Sequence, residues 1–411
     1  MVRVNFLDLN YRPSESDLIC EFYIEPERGI EITRAASAVA SESSIGTWTE
    51  VKTMRSGIRK LAARVFEIDE ARKIVKIAYP CELFEQGNMP QILSSIAGNV
   101  FGMKLVKNLR LLDVSFPKII AKSFPGPKFG IEGIRKLTKI NGRPLVGTIV
   151  KPKLGLNEDE HARVAYDAWV GGIDIVKDDE NLANMRFNRF ERRVRKTLKL
   201  RDRAERETGE RKIYIPNVTA ETSEMLKRAR FVRDLGGEYV MVDVLTLGLG
   251  ALQTLRSETE ELNLAIHAHR AGHAAVTKNR KHGIAMRVLA KISRVVGVDQ
   301  LHVGTAVGKM FENKKDVLSN CDALRSELYG IKRTMPVASG GLHPAAIPEL
   351  IKIFGIDVIL QFGGGCHGHP RGTAAGARAI RQSLDATLQN VPLEEYASKH
   401  RELREALKKW G

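Results

Sequence analysis

The chain has 411 residues, of which 43% are hydrophobic and 28% are charged, as is usual for a soluble globular protein. This length is sufficient for a small domain followed by a barrel-sized one. No run of about 18 apolar residues occurs, so we expect no membrane span, and the first residues lack the apolar core of a signal peptide. The four cysteines are scattered without a CxxC spacing, which favours a reduced, cytoplasmic location over a disulfide framework.

The net charge of +16 raises the question of whether the chain binds nucleic acid. Its densest basic run, "RFERRVRKTLKLRDRAERETGERK" at 189–212, also contains acidic residues three or four positions from basic ones. This spacing is typical of a solvated helix face with ion pairs along it. No zinc-finger, RNP-type or basic-zipper pattern occurs, so we expect no nucleic-acid partner, although a basic binding surface stays open as an alternative.

Residues 1–135 indicate an N-terminal α+β domain of ferredoxin-like type. The stretches "LICEFYIEP", "ARVFEID" and "KIVKIAYP" are typical of strands, and "QILSSIAGNVFG" is typical of a helix or its start. The segment at 123–133, "SFPGPKFGIEG", is rich in Gly and Pro and indicates the end of this domain. We therefore predict a second domain over 136–411 with a short C-terminal tail.

The second domain alternates short apolar runs with amphipathic stretches. The runs are "RPLVGTIVKP", "IDIVKDDE", "KIYIPNVT", "EYVMVDVL", "LAIHAHR", "DQLHVGT", "MPVASGG" and "DVILQFGGG". Eight strand–helix units in succession predict an α/β fold of the parallel (β/α)8 TIM-barrel type. An open doubly wound sheet is disfavoured because no GxGxxG follows the first strand.

Polar side chains collect where the predicted barrel strands end, and active sites of such barrels lie at that face. These residues are, in chain order, Lys151, Lys153, Lys177, Asp179, Glu180, Asn217, Asp243, His267, His269, Arg270 and His302, with Lys309 in the next loop. The carboxylates beside Lys177 suggest an oxygen-rich Mg2+ site, because hard divalent ions prefer such ligands. A plain ion-pair network is the alternative, since an ammonium group is not a metal ligand.

Two glycine loops follow the last two strands, "SGGLHP" at 339–344 and "GGGCHGHP" at 363–370. Loops at this position often bind phosphate through backbone N–H groups, although tight turns alone would also explain them. Arg270 and His302 offer a second anion site. Together the two sites suggest a doubly phosphorylated small molecule.

Two histidine clusters allow a different metal. The first contains His267, His269 and His273, and the second contains Cys366, His367 and His369. Neither has a strong zinc spacing, so structural histidines are the preferred interpretation for all of these except His269.

The motifs "GTIVKPKLGL", "GGIDIVKDDEN", "HAHRAGHA", "LHVGTAVGKM", "VASGGLHP" and "LQFGGGCHGHP" closely resemble the large subunit of ribulose-1,5-bisphosphate carboxylase/oxygenase (RuBisCO). The stretches "SESSIGTWTEV" and "AGNVFGMK" resemble its first domain, and the resemblance runs from about residue 5 to 385. Details such as "GERKIYIPNVTAE" are similar to the archaeal, form III type.

The resemblance implies an activating CO2 bound to Lys177 as a carbamate, which with Asp179 and Glu180 would bind Mg2+. It implies catalytic roles for Lys151, Lys177, His269 and Lys309. It further implies substrate-binding roles for Glu42, Thr47, Trp48, Asn99, Lys153, Arg270, His302, Ser339, Gly341, Gly363 and Gly364. The substrates implied are ribulose 1,5-bisphosphate with CO2, and O2 in a side reaction.

The resemblance also implies a homodimer or an oligomer of dimers, because Glu42 and Asn99 match residues that complete a neighbouring subunit's site. No feature demands a small subunit. Departures from the family pattern include Ile149, Val303 and the "MFEN" after Lys309, and the segment from 309 to 339 is about fifteen residues shorter than usual. Because the segment from 309 to 339 and the C-terminal tail are both short, we expect a leaner lid over the site.

One alternative function is a RuBisCO-like enolase or isomerase acting on a methylthio-sugar phosphate in sulfur salvage. It would share the enolisation step but would not need to hold a carboxylated intermediate. The joint presence of six residues favours the carboxylase: Lys151, Lys309, Glu42, Asn99, Thr47 and Trp48.

Overall fold

A computed structural model describes residues 4–47, 49, 51–307 and 312–411. The chain forms two compact units. The first consists of Met1–Gly126, Gly272–Val296 and Glu327–Ile331, and the second of the ranges Pro127–Ala271, Gly297–Ser326 and Lys332–Gly411. No helix within the described ranges is long and apolar enough to cross a membrane.

In the described residues the strands β1 to β13 are, in order, Leu18–Pro26, Arg64–Asp69, Ile74–Tyr79, Val106–Ser115, Leu145–Ile149, Ile175–Lys177, Ile213–Ile215, Tyr239–Asp243, Ala265–His269, Gly283–Ile284, Gln300–Gly304, Met335–Ser339 and Ile359–Phe362.

The helices α1 to α17 in the same residues are Ile32–Glu42, Met89–Ile96, Lys118–Ala121, Gly130–Thr138, Glu158–Val170, Phe190–Thr208, Thr222–Asp234, Val244–Leu247, Leu249–Leu262, Ala274–Thr277, Met286–Val296, Lys314–Arg325, Ile347–Phe354, Gly364–His367, Thr373–Leu388, Leu393–Lys399 and Arg401–Trp410.

The first unit is built on a sheet with the strand order β10-β4-β1-β3-β2. The long strand β1 pairs antiparallel with both β3 and β4. Its alternate residues Leu18, Cys20, Phe22 and Ile24 are fully buried, which is the pattern of a strand with one face on a core. Helix α11 packs against β4, so a segment from the middle of the chain contributes to this unit. The predicted α+β class of the N-terminal domain is confirmed.

The second unit contains an eight-stranded parallel sheet in the described residues, with the order β7-β6-β5-β13-β12-β11-β9-β8. Its two edge strands are linked by a bridge between Asn217 and Met241. There the Met241 N–H donates to the Pro216 carbonyl at 2.8 Å, and the Val218 N–H donates to the Met241 carbonyl at 3.0 Å. The sheet therefore curls into a nearly closed barrel, and the predicted TIM-type barrel is confirmed.

All eight predicted apolar runs contain a barrel strand. They are recognisable because parallel barrel strands are buried on both faces and are therefore continuous apolar runs. Strands buried on only one face instead alternate apolar and polar residues. Strands β5 and β8 are buried at every position. Inside the barrel, Leu145, Ile175 and Met241 belong to one apolar cluster, which fills the interior as packed side chains.

Asp299 connects three elements at the end of the barrel opposite the strand C-termini. Its fully buried carboxylate accepts hydrogen bonds from the backbone N–H groups of Phe129 at 2.6 Å, Gly130 at 2.9 Å and Ile266 at 2.9 Å. The first two donors begin α4 and the third lies in β9. One side chain thus satisfies three donors that the barrel buries.

Replacing Asp299 by alanine should destabilise the barrel. Each buried donor left without an acceptor costs about 1–3 kcal/mol, so we expect the free energy of unfolding to fall by about 3 kcal/mol or more, measured by urea denaturation. The control is Asp234→Ala, because the side chain of Asp234 is 68% exposed beside Arg233. Superimposable unfolding curves for Asp299→Ala and the parent would contradict the assigned role.

Candidate active site

Lys177 ends strand β6 and points into the barrel, where it is 1% exposed. Its Nζ donates to the Asp178 carbonyl at 2.9 Å and lies 3.4 Å from Sδ of Met241 and 3.6 Å from Oε2 of Glu180. Burial lowers the pKa of Lys177 below its usual value, even though nearby carboxylates oppose the shift. The amine is therefore closer to its neutral, nucleophilic form than a surface lysine is.

Asp178 points to the other side of the strand, because successive side chains alternate. Its carboxylate accepts hydrogen bonds from Arg193 Nε at 3.1 Å, Tyr214 Oη at 2.6 Å and Asn217 N at 3.0 Å, with His161 Nε2 at 3.1 Å. Burial alone would raise the pKa of Asp178, but Arg193 and His161 outweigh it and lower that pKa. No pattern in the sequence distinguishes Asp178 from its acidic neighbours, although its contacts fix the strand end that carries Lys177.

Asp179 and Glu180 follow at the mouth of the barrel. Lys151 Nζ donates to Asp179 Oδ2 at 2.6 Å, and Lys153 Nζ donates to Asn181 at 3.1 Å. Burial would raise the pKa of Glu180, but the charges of Lys177 and His269 lower it to about 2. Glu180 is thus held as an anion, and Asp179 forms an ion pair with Lys151.

His269 at the end of β9 faces the same acids. Its Nδ1 lies 2.7 Å from Asp243 Oδ1, and its Nε2 lies 3.7 Å from Glu180 Oε2. A proton on Nδ1 is held by Asp243, so Nε2 is left to exchange a proton at the barrel mouth. Asp243 is a strand-end residue for which the sequence indicated no role.

Arg270 is buried, and its guanidinium forms an ion pair of 2.5 Å with Glu312. Its neighbour His302 has both ring nitrogens engaged, with Nδ1 2.7 Å from Ser339 Oγ and Nε2 2.9 Å from His267 Nε2. The predicted anion site therefore contains its own carboxylate, a feature absent from the sequence-based interpretation.

The two glycine loops begin where β12 and β13 end. Gly341 has a φ of 84°, a conformation that favours glycine, and it lies beyond Ser339. A Cβ atom on Gly363 would lie 3.7 Å from Cε of Lys151, so the second loop borders the lysine side of the mouth. Gly364 begins the short helix α14 and is exposed.

Three other histidines of the two predicted clusters are hydrogen-bonded within the protein. His367 Nε2 lies 2.8 Å from the Ile149 carbonyl, and His369 Nε2 lies 3.0 Å from the Glu402 carbonyl. His273 belongs to the first unit and bonds Thr277 at 2.9 Å. These contacts favour structural roles over zinc binding.

The remaining predicted residues lie elsewhere. Glu42 ends α1, and Asn99 begins a short 3-10 helix, Asn99–Gly102. Both are exposed in the first unit, as is Thr47. Trp48 and Lys309 lie outside the described residues.

Within the described ranges, no group of three or more His, Cys, Asp or Glu side chains is arranged to hold a metal ion. At the mouth, Asp179 and Glu180 provide two carboxylates beside the buried amine of Lys177. Hard divalent ions bind through oxygen, so a site here needs a further oxygen donor. Conversion of the Lys177 amine into a carbamate would supply one, and in that form the three residues fit Mg2+.

Comparison with family models matches residues 5–120 to the N-terminal domain of the ribulose bisphosphate carboxylase large chain and residues 130–410 to its catalytic domain. A protein of Methanosarcina mazei named ribulose bisphosphate carboxylase is 52% identical over 100% of this chain and 99% of its own length. One from Pyrococcus furiosus is 50% identical over 99% and 97% of the two chains.

Solved structures of archaeal RuBisCO are similar to this chain in fold as well as in sequence. An octameric RuBisCO from Pyrococcus horikoshii has a TM-score of 0.95 and 50% identity, covering 98% of this chain and 96% of that one. A dimeric archaeal RuBisCO from Hyperthermus butylicus has a TM-score of 0.93 and 46% identity, covering 99% and 98%.

Neutralising Glu312 should strengthen anion binding at Arg270. Glu312→Gln keeps the side-chain shape but removes the charge that competes for the guanidinium, so we expect inorganic phosphate to bind about 10-fold more tightly by titration calorimetry. Glu349→Gln is the control, because Glu349 forms a half-exposed pair with Lys314 at 3.7 Å. Equal phosphate affinities for Glu312→Gln and the parent would argue against competition by Glu312.

Proposed function

Since the chain belongs to the ribulose bisphosphate carboxylase large chain family and is an enzyme of it, we propose that it carboxylates ribulose 1,5-bisphosphate with CO2. The products are two molecules of 3-phosphoglycerate, and O2 reacts in a side reaction. The relatives at about 50% identity bear the carboxylase name, which does not favour the enolase or isomerase alternative.

One observation carries this proposal: at the mouth of a parallel barrel, a buried amine of lowered pKa lies 3.6 Å from the carboxylate of Glu180, and the neighbouring carboxylate of Asp179 is paired with Lys151. Lys177 is proposed to take up an activating CO2 as a carbamate and, with Asp179 and Glu180, to hold Mg2+. When bound, the metal and the carbamate supply polarisation of the C2 carbonyl and C3 hydroxyl and a base for the C3 proton.

Other side chains of the mouth are assigned to proton movements and charge. Lys151, whose Nζ donates to Asp179 at 2.6 Å, protonates the final C2 carbanion. Lys153 supports the metal site. His269, oriented by Asp243, assists at the C3 oxygen during hydration. Lys309 stabilises the incoming carboxylate by its charge.

The two phosphates are assigned to opposite sides of the mouth. Arg270 is assigned to hold one of them through its positive charge, since burial lowers the pKa of His302 well below its usual value. His302 lines the same site and acts through its bond to Ser339, because its two ring nitrogens are engaged by His267 and Ser339. The other is held by Gly341, Gly363, Gly364, Thr47 and Trp48, and Ser339 contacts the sugar.

A dimer is the smallest functional unit under this proposal. Glu42 and Asn99 would complete the site of a neighbouring subunit, and both are exposed in the single chain. The structural relatives described as octameric and dimeric support a homo-oligomer. Sedimentation analysis of the purified protein tests this, and a monomer at working concentration would contradict it.

The decisive experiment incubates the purified protein with ribulose 1,5-bisphosphate, Mg2+ and labelled bicarbonate. Acid-stable label in 3-phosphoglycerate is the expected result. Absence of label both with and without prior incubation of the protein with CO2 and Mg2+ would overturn the proposed function.

Lys177→Ala should abolish Mg2+-dependent turnover, because no carbamate can form. It should also remove a carbamate signal from the 13C NMR spectrum of protein treated with labelled CO2. Lys212→Ala is the matched control. Lys212 directly precedes β7, is equally buried and donates to the Ile173 carbonyl at 3.1 Å. Undiminished activity of Lys177→Ala would refute the metal role.

Lys309→Ala should retain exchange of the C3 proton with solvent while losing carboxylation, because its charge is needed only after enolisation. Proton exchange is followed by NMR of the substrate and carboxylation by label incorporation. Lys314→Ala, a nearby exposed lysine, should leave both unchanged. Loss of both steps in Lys309→Ala would contradict this division of roles.

A further inference from the structure

We propose that Gln300 and His267 are positioning residues that control sugar binding through His302 and Ser339, an inference that rests on the proposed function. The four side chains form one hydrogen-bonded chain across β9, β11 and β12. Gln300 Oε1 lies 2.7 Å from His267 Nδ1, His267 Nε2 lies 2.9 Å from His302 Nε2, and His302 Nδ1 lies 2.7 Å from Ser339 Oγ.

With Gln300 Oε1 facing His267, the hydrogen-bonded chain runs in one direction. The other amide atom of Gln300, Nε2, is buried and has no hydrogen-bond partner among the described residues. A neutral imidazole has one N–H and one lone pair. Gln300 Oε1 can only accept, so His267 carries its proton on Nδ1 and its Nε2 accepts. His302 must then carry its proton on Nε2, and its Nδ1 accepts from the hydroxyl of Ser339.

Burial keeps both rings in the neutral state that this direction requires. His267, His302 and Gln300 are at most 3% exposed. Burial, together with the nearby charge of Lys177, lowers the pKa of His267 to about 3. Two neutral rings in contact can share only one proton between their facing nitrogens, so the tautomer of one ring sets that of the other.

The consequence lies at Ser339, at the C-terminal end of β12 and partly exposed. Its proton is committed to His302, so the oxygen offers only lone pairs to the mouth of the barrel. Ser339 can therefore accept a hydrogen bond but has no proton left to donate. The hydrogen-bonded chain therefore favours a sugar phosphate with a free hydroxyl next to Ser339 over one with a carbonyl or ether oxygen there.

A double-mutant cycle tests the inference. The affinity of ribulose 1,5-bisphosphate is measured by titration calorimetry, without Mg2+ or added CO2, for the parent, Gln300→Met, Ser339→Ala and the double variant. Loss of one directed hydrogen bond should weaken binding about 5- to 10-fold in Gln300→Met. In the Ser339→Ala background the same change should have less than about a 2-fold effect, because the two residues act as one unit.

Multiplicative effects in the double variant would overturn the proposal, since a merely structural role for Gln300 does not depend on Ser339. Gln361→Met is the matched control. Gln361 is buried in the neighbouring strand β13, and neither polar atom of its side chain has a hydrogen-bond partner among the described residues. The Gln361→Met variant should bind the bisphosphate as tightly as the parent does. Equally weakened binding in Gln300→Met and Gln361→Met would also overturn the proposal.

Variants of His267 provide a second test. His267→Gln can still place an amide oxygen where Nε2 accepts from His302, whereas His267→Leu cannot. We expect the Gln variant to bind the bisphosphate within about 3-fold of the parent and the Leu variant to bind at least about 5-fold more weakly than the parent. Equal affinities of the two variants would count against the chain.

The inference can fail separately from the proposed function. If the parent does not bind ribulose 1,5-bisphosphate, the proposed function fails. The 15N chemical shifts of His302 then test the hydrogen-bonded chain independently. These should show a protonated Nε2 and an unprotonated Nδ1 in the parent and a mixture of tautomers in Gln300→Met. The same tautomer mixture in both proteins would refute it.

Discussion

The bonds of one buried carboxylate hold the candidate site in place. Asp178 is bonded to Arg193, Tyr214 and the backbone of Asn217, and none of these is a proposed reacting group. Removing one partner from a buried charge pair costs about 3–5 kcal/mol, so this strand end is strongly fixed. Because side chains alternate along a strand, anchoring Asp178 on the outer face directs Lys177 into the barrel.

The electrostatics of the mouth follow from that placement. Lys177 loses solvation and its pKa falls, whereas Glu180 remains an anion because the charges around it outweigh its own burial. The same side of the barrel thus offers a reactive amine and, 3.6 Å from it, the ionised carboxylate of Glu180. On the other side, two neutral histidines transmit the orientation of an amide to a serine hydroxyl without adding charge. Charged residues thus determine the electrostatics on one side of the mouth, and neutral residues determine the direction of hydrogen bonding on the other.

The barrel strands and most of the mouth were predictable, because buried parallel strands are continuous apolar runs and their polar ends are conspicuous. Strand β4, "VKNLRLLDVS", was not among the predicted elements, since charged residues interrupt its apolar ones. Asp178 could not be distinguished from its acidic neighbours without knowing which face of the strand it occupies. The pairing of Arg270 with Glu312 joins residues far apart in the sequence, and no local pattern indicates it.

Helix α11 belongs to the first unit although it lies between two barrel strands in the sequence. Its buried side chains include Val288, Ile292 and Val295, and the strand that it contacts, β4, precedes the barrel entirely. A fragment that begins at residue 127 would carry this helix without its sheet and expose an apolar face to water. During synthesis the first sheet likewise waits for α11 until more than half of the barrel strands have been made. Truncation at the apparent boundary is therefore a poor way to obtain either half of this protein.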